Sequence, residues 1–192
     1  MKVKARFVTS AAKPEDFPPE DLPELAVVGR SNVGKSSLIN ALVGQPIART
    51  SRTPGRTRLI NWFEINQRFH LVDLPGYGYA EVSRELRDSW RPLIESFLTT
   101  RATLAGVVLL IDIRRGAEDE ELDFVAWLDQ RGTPATIVLT KADKLAKAKR
   151  MLEITKVKHA LGLREDPIAV SAQTGDGVDP LWRAVLAQIE RT

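Results

Sequence analysis

Eight residues, Gly29-Arg30-Ser31-Asn32-Val33-Gly34-Lys35-Ser36, leave this chain few folds to choose from. They match the pattern G-x-x-x-x-G-K-[ST]. Before them lies Leu25-Ala26-Val27-Val28, an apolar run of buried-strand type. After them comes Lys35–Leu42, where Leu38, Ile39 and Leu42 recur at helical spacing. Strand, glycine-rich turn and helix in that order gather backbone N–H groups and a helix N-terminus at one point, which favours phosphate oxygens. The amides from Gly29 to Ser37 would form the cradle, Lys35 would bridge the β- and γ-phosphates, and the Ser36 hydroxyl would hold magnesium. The plainer reading is a glycine-rich turn without function, and the flanking strand and helix argue against it.

The remainder alternates strand and helix. Val3–Thr9 is expected as an edge strand, and residues 13–24, with Pro14, Pro18, Pro19 and Pro23, as a loop. Residues 1–24 read as an extension to a single domain spanning 1–192, within the usual domain size. Residues 45–58 are polar and read as a mobile loop. Leu59–Ile65 and Arg68–Asp73, joined by Asn66-Gln67, predict a hairpin. Further strands are predicted at Ala105–Ile113, Ala135–Thr140 and Pro167–Ser171. Helices are predicted at Ser83–Leu98, with Leu86, Trp90, Leu93, Ile94 and Phe97 on one face, and at Glu118–Gln130, with Leu122, Val125 and Leu128 inward. Leu145–Leu161 and Pro180–Ile189 complete the set. Strands separated by helices of this length predict an α/β fold, a mostly parallel doubly wound sheet with helices on both faces.

Two more strand ends carry motifs. Asp73-Leu74-Pro75-Gly76 offers a carboxylate that can hold magnesium through water and a glycine N–H that can meet a γ-phosphate. Alone such a tetrad is usually a turn; its place after the phosphate loop gives it weight. Thr140-Lys141-Ala142-Asp143 offers a carboxylate able to accept two hydrogen bonds from guanine, a donor pair that adenine lacks. Lys141 can lay its stem along the base. The plainer reading makes Asp143 a cap for the following helix. Ser171-Ala172, after the next strand, falls where a backbone N–H can meet the guanine O6.

Together these pieces resemble the small GTPases of the translation-factor class, and more closely the EngB family within the TrmE-Era-EngA-EngB-Septin-like class. The residues that carry the resemblance are GRSNVGKSSLINAL (Gly29–Leu42), TPGRT (Thr53–Thr57), DLPGYGYA (Asp73–Ala80) and TKADKL (Thr140–Leu145). The resemblance implies a Ras-like P-loop GTPase fold that binds GTP and GDP with Mg2+. It makes Thr57 the switch threonine that joins Ser36 on the metal, with Asp73 through water. It closes Gly55, Arg56, Thr57, Arg58 and Leu59 over the nucleotide and lines the guanine with Val170, Ser171 and Ala172. Lys35, Thr57 and Gly76 would be the catalytic set. Members of the family are similar in being assembly factors of the large ribosomal subunit, needed for normal cell division and septation, so that subunit or its RNA is the expected partner.

One departure bears on mechanism. Tyr77 follows Asp73–Gly76 where Ras-type enzymes place a water-orienting glutamine, so slow GTP hydrolysis is expected. Asn32 suggests an activating K+ ion, as in related GTPases with asparagine there; local hydrogen bonding of the loop is the alternative. Tyr77 and Tyr79 are expected to present aromatic surface that changes with nucleotide state. Arg49, Arg52, Arg56 and Arg58 read as RNA or partner contacts. Lys141, Lys144, Lys147, Lys149, Arg150, Lys156 and Lys158 read as a solvated face. The four tryptophans are expected to be core or half-buried, His70 structural and His159 on a surface.

Composition narrows the alternatives. The chain has no cysteine, which excludes disulfides, zinc–thiolate sites and cysteine nucleophiles, and its two histidines argue against a multi-histidine metal site. The net charge of +3 permits a polyanionic partner without requiring one. Met1–Ser10 is too charged for a targeting core, and the longest apolar run, Leu104–Ile111, falls far short of a membrane span, so a cytoplasmic monomer away from membranes is expected. An ATP-dependent P-loop enzyme and an RNA-binding module with secondary nucleotide turnover remain as alternatives.

Overall fold

The computed structural model describes residues 3–48, 59–77 and 84–191, with residues 84–91 described by backbone alone. The apolar runs take the middle of one sheet, where both faces are covered and every side chain is buried. β2 (Glu24–Gly29) is buried along its whole length, and so are β4 (Phe69–Asp73) and nearly all of β5 (Leu104–Asp112). With β1 (Ala5–Ala11), β3 (Ile60–Ile65), β6 (Ala135–Thr140) and β7 (Ile168–Ala169) they form seven strands in the order β1-β3-β4-β2-β5-β6-β7. β2 runs parallel to β4 and β5, β5 to β6, and β6 to β7; β3 is antiparallel to β4 and to β1.

Alternation along each strand divides the core into two. Leu25, Val27 and Leu110 face α1 (Lys35–Val43) and α5 (Val178–Ile189), through Leu38, Ile39, Leu42, Leu181 and Val185. Ala26, Val28, Val107 and Leu109 face α2 (Arg84–Thr100), α3 (Asp119–Gln130) and α4 (Lys147–Ala160), through Phe97, Leu128 and Val157. The doubly wound expectation holds, and Val3–Thr9 is realised as an edge strand displaced by two residues.

The β3–β4 hairpin closes as expected on Asn66 and Gln67. Both adopt left-handed backbone, φ 52° and 55°, and Arg68 N–H donates to Ile65 C=O at 2.9 Å. Residues 13–24 are more ordered than a loop: Pro14–Asp16 form a 3-10 turn, and Glu24 belongs to β2. α4 starts at Lys147 rather than Leu145 because Ala142–Lys144 form a 3-10 turn first. In α3, Leu122 is exposed rather than inward, and Glu121 is buried near it. The Leu86 and Trp90 side chains lie outside the described residues; Leu93, Ile94 and Phe97 pack inward as expected. Trp62 is fully buried, and half-buried Trp182 donates its indole N–H to the Leu42 carbonyl at 2.7 Å.

A fully buried carboxylate ties four segments together. Glu24 accepts from the Arg101 guanidinium at 2.6 and 2.8 Å, from the Trp62 indole N–H at 2.8 Å and from the Thr103 hydroxyl at 3.0 Å. Arg101 also donates to the Pro18 carbonyl at 2.9 Å, so the ion pair fastens the proline-rich segment to the end of α2. Removing one partner strands the other charge in the core. Arg101→Met is expected to lower the unfolding free energy by about 3–5 kcal/mol, measured by urea denaturation. Glu24→Gln, which keeps one acceptor, is expected to cost less than Arg101→Met.

Candidate nucleotide-binding site

The parallel strands deliver their carboxyl ends, Gly29, Asp73, Asp112 and Thr140, to one edge of the sheet, where ligands of such folds bind. There β2 turns into α1. Gly29 has no room for a side chain: a Cβ would sit 2.8 Å from the Leu110 carbonyl oxygen. Asn32 takes left-handed backbone, φ 62°, and Gly34, φ 100°, is the residue that opens α1. Among the described residues no side chain caps that helix, which leaves its first amides without a side-chain acceptor. Val33 anchors the loop from below, buried in the core, and its carbonyl accepts the Thr140 hydroxyl at 2.7 Å.

The loop after β4 lies directly against this turn. Lys35 is ion-paired with buried Asp73. Leu74 is buried and donates its N–H to the Val27 carbonyl at 3.1 Å. Pro75 and Gly76 are also buried, and a Cβ on Gly76 would come within 3.2 Å of the Ser31 nitrogen and 3.3 Å of the Gly29 oxygen. Ser31 N–H donates to the Tyr77 carbonyl at 2.8 Å, and Tyr77 N–H to the Gly29 carbonyl at 3.2 Å, which stitches the two loops together. The Ser31 hydroxyl is buried without a hydrogen-bond partner among the described residues.

Tyr77 overturns one expectation. Its ring does not stand out as a free aromatic surface. It tilts against Phe124 on α3, and its hydroxyl donates to Glu121 Oε1 at 2.8 Å. Burial, and then the Glu121 charge, push the hydroxyl far above its ordinary pKa, so it stays a donor. Glu121, only 1% exposed, also accepts the Glu118 N–H at 2.9 Å within a capping box that opens α3. Arg30 turns to the same helix end and pairs with Glu118. Glu121 was missed in the sequence because an acid in the first turn of a helix reads as solvated; its signal was a capping-box spacing from Glu118.

The third loop follows β6. Lys141 takes left-handed backbone, φ 59°, and sends its ammonium to the Asn32 carbonyl at 2.7 Å and to Asp112 at 3.0 Å. Its Cε lies 3.8 Å from where a Cβ on Gly34 would be, so the stem crosses the phosphate-loop turn. Ala142 is buried and donates to the Val170 carbonyl at 3.1 Å. Asp143 accepts from the Ser171 hydroxyl at 2.7 Å and pairs with Lys144 at 2.9 Å. Those bonds, Lys144 first, hold its carboxyl below the usual range. Asp143 does not cap α4, whose N-cap is Ala146. The Asn32 amide is exposed and makes no hydrogen bond among the described residues.

Gly29 to Ser37, Asp73 to Gly76, Thr140 to Asp143 and Val170 to Ala172 thus converge on one sheet edge. Leu59 is described only as an exposed residue ahead of β3, while Gly55, Arg56, Thr57 and Arg58, with Arg49, Arg52 and Tyr79, lie outside the described residues. Five cations along α4 and its approach are paired among the described residues: Lys141 with Asp112, Lys144 with Asp143, Arg150 with Asp176, Lys156 with Glu153 and Lys158 with Asp166. That fits a solvated face. His70 is buried in β4, and His159 is exposed on α4.

A sequence-family model described as "50S ribosome-binding GTPase" matches residues 24–141. A protein of Desulfatibacillum aliphaticivorans named "Probable GTP-binding protein EngB" is 50% identical over 184 residues, covering 95% of this chain and 90% of the relative. A Pelobacter propionicus protein of the same name is 49% identical, covering 96% of this chain and 93% of the relative. The chain belongs to the EngB family of GTP-binding proteins. Its fold matches a crystal structure described as a probable GTP-binding protein engB, with TM-score 0.75 at 24% identity over 88% of this chain and all of that one. It also matches Aquifex aeolicus Era, with TM-score 0.71 at 23% identity over 88% of this chain and 57% of that one. The Ras-like P-loop fold expected from the sequence is the fold of this family.

The residues present suit Mg2+ with a nucleotide. Among the described residues no cluster of three or more His, Asp or Glu side chains can hold a metal ion. Mg2+ commonly needs only one or two protein ligands when phosphates and waters supply the rest, and Asp73 with Ser36 on one edge meets that requirement. The Tyr77 contact is separately testable. Tyr77→Phe keeps the ring but removes the donor to a buried carboxylate. It is expected to lower the unfolding free energy by about 2 kcal/mol, and to be non-additive with Glu121→Gln in a denaturation double-mutant cycle.

Proposed function

We propose that the chain is a guanine-nucleotide switch that hydrolyses GTP slowly with Mg2+ and acts in assembly of the large ribosomal subunit. The observation that carries the guanine reading is Asp143. It is fixed by Ser171 and Lys144 on the same edge as the phosphate-loop turn, with the Lys141 stem running between them. Asp143 accepts the guanine N1–H and amino group, and Val170, Ser171 and Ala172 line the base. The uncapped amides at the start of α1 and the Lys35 ammonium bind phosphate oxygens and stabilise the charge that grows on them in the transition state. Ser36, Thr57 and, through water, Asp73 hold Mg2+, which neutralises phosphate charge when bound. For Lys35 this requires exchanging its partner Asp73 for phosphate.

Gly76 offers its N–H to the γ-phosphate, and residues 55–59 close over the nucleotide. The ribosomal partner is supported by the family-model description. A role in division and septation extends the same reading. The chain works as one G domain, with residues 1–24 as its extension. Among the described residues no helix is long and apolar enough to cross a membrane.

Slow turnover is supported by Tyr77, whose hydroxyl is committed to Glu121 and so is unavailable to orient water. The exposed Asn32 amide, without a hydrogen bond among the described residues, supports a K+ ion as the missing positive charge. Two experiments test these statements. Fluorescent GDP and GTP are expected to bind without competition from ATP, and Asp143→Asn to weaken both by at least about tenfold. ATP competing as well as GTP would end the guanine reading. Hydrolysis is expected to run faster in KCl than in NaCl of equal ionic strength, and Asn32→Ala to abolish that difference; equal rates in the two salts would remove the K+ proposal.

A further inference from the structure

Asp112 is the least accounted-for charge at this edge of the sheet. It ends β5, is only 8% exposed, and lies outside all three loop motifs. Its backbone is fixed beside Thr140 by the β5–β6 pairing. Its carboxylate accepts from the Arg114 backbone N–H at 3.0 Å and from the Arg114 guanidinium at 2.7 and 3.0 Å. On its other side it holds the Lys141 ammonium at 3.0 Å, the same ammonium that donates to the Asn32 carbonyl at 2.7 Å. A free lysine stem has many rotamers; this one is gripped at its tip from both sides and crosses Gly34 on the way.

We propose that Asp112 is a positioning residue for nucleotide binding: by clamping the Lys141 ammonium against the Asn32 carbonyl, it makes the lysine stem a rigid wall for the base. The inference rests on the guanine-nucleotide reading above. It also links two loops already joined by the Thr140–Val33 hydrogen bond: Asp112 holds Lys141, and Lys141 holds the left-handed turn at Asn32. Burial opposes the charge on Asp112, yet the hydrogen bonds from Arg114 and Lys141 outweigh it and bring the carboxyl down to about 2. The clamp therefore stays charged across the range in which nucleotide binding is measured. Without it Lys141 keeps its acceptor on Asn32 but loses the counter-charge that fixes its direction. Bound nucleotide then leaves faster, while the phosphate-side chemistry at Lys35 and Gly76 is untouched.

The test is a release-rate cycle. Displacement of fluorescent GDP by excess GDP is followed for the wild type, Asp112→Asn, Lys141→Met and the double variant. Asp112→Asn is expected to release GDP about tenfold faster, with kcat at saturating GTP within about twofold of wild type. The double variant is expected to release no faster than Lys141→Met alone. Asp112→Glu, which keeps the charge within reach of a long lysine stem, is expected to restore most of the hold. If Asp112→Asn fails to fold, Asp112→Glu replaces it in the same cycle, and its smaller effect must vanish in the Lys141→Met background. Release at the wild-type rate from folded Asp112→Asn, or an undiminished effect in the Lys141→Met background, overturns the proposal and leaves the guanine reading standing. Wild-type protein that fails to bind GDP overturns both.

Discussion

The turn between β2 and α1 sets the terms for everything around it. The chain must leave a strand buried on both faces, reverse without a side chain at Gly29, and enter a helix whose first amides have no capping side chain. An uncapped helix start is ordinarily a defect, because its N–H groups want acceptors. Here the defect faces outward at the carboxyl edge of a parallel sheet, and the neighbouring loops supply charge and support instead of a cap. Lys35 leans on Asp73, Val33 is pinned by Thr140, and the Asn32 carbonyl is held by Lys141. The arrangement leaves those amides open to an anion, which a side-chain cap would have prevented.

The same economy appears in how the loops hold one another. The loop after β4 is joined to the phosphate-loop turn by two backbone hydrogen bonds at Tyr77, and the Tyr77 side chain is docked on α3 through Glu121. Arg30 reaches that helix end as well, through Glu118. Both loops that meet at the phosphate edge are therefore referred to one rigid element, the start of α3, where a capping box fixes the acids. Any displacement of Gly76 toward a phosphate must either carry Tyr77 with it or strain its bond to Glu121. This ties the phosphate end of the site to a helix outside the three loop motifs.

Much of this was legible in the sequence because it is local. The spacing of Gly29, Gly34, Lys35 and Ser36, the apolar runs and the tetrads at Asp73 and Thr140 are patterns within a few residues, and strand–helix alternation fixes the topology in which they meet. What was not legible is long-range pairing of ordinary residues. Glu24 and Arg101 lie 77 positions apart, and nothing in either segment announces a fully buried ion pair. Glu121 reads as a solvated acid, and Leu122 beside it as the inward residue. The two exchange roles where Tyr77 brings a donor that the Glu121 carboxylate accepts. Periodicity counts hydrophobicity; it does not see a partner arriving from 44 residues away.

Asp112 and Glu121 share a logic that separates this site from a generic phosphate loop. Each is a buried acid that touches no expected ligand and fixes a residue that does or that lies beside one: Lys141 next to Asp143, and Tyr77 next to Gly76. Buried carboxylates are costly unless fully paired, so each must be surrounded by donors. Those donors are what make it a firm support. Asp112 is surrounded by Arg114 and Lys141, and Glu121 by Tyr77 and the Glu118 amide. A site built this way gains direction at the base end and at the phosphate end from separate anchors. On the reading proposed above, substitutions at the end of β5 alter affinity and substitutions at the start of α3 alter turnover.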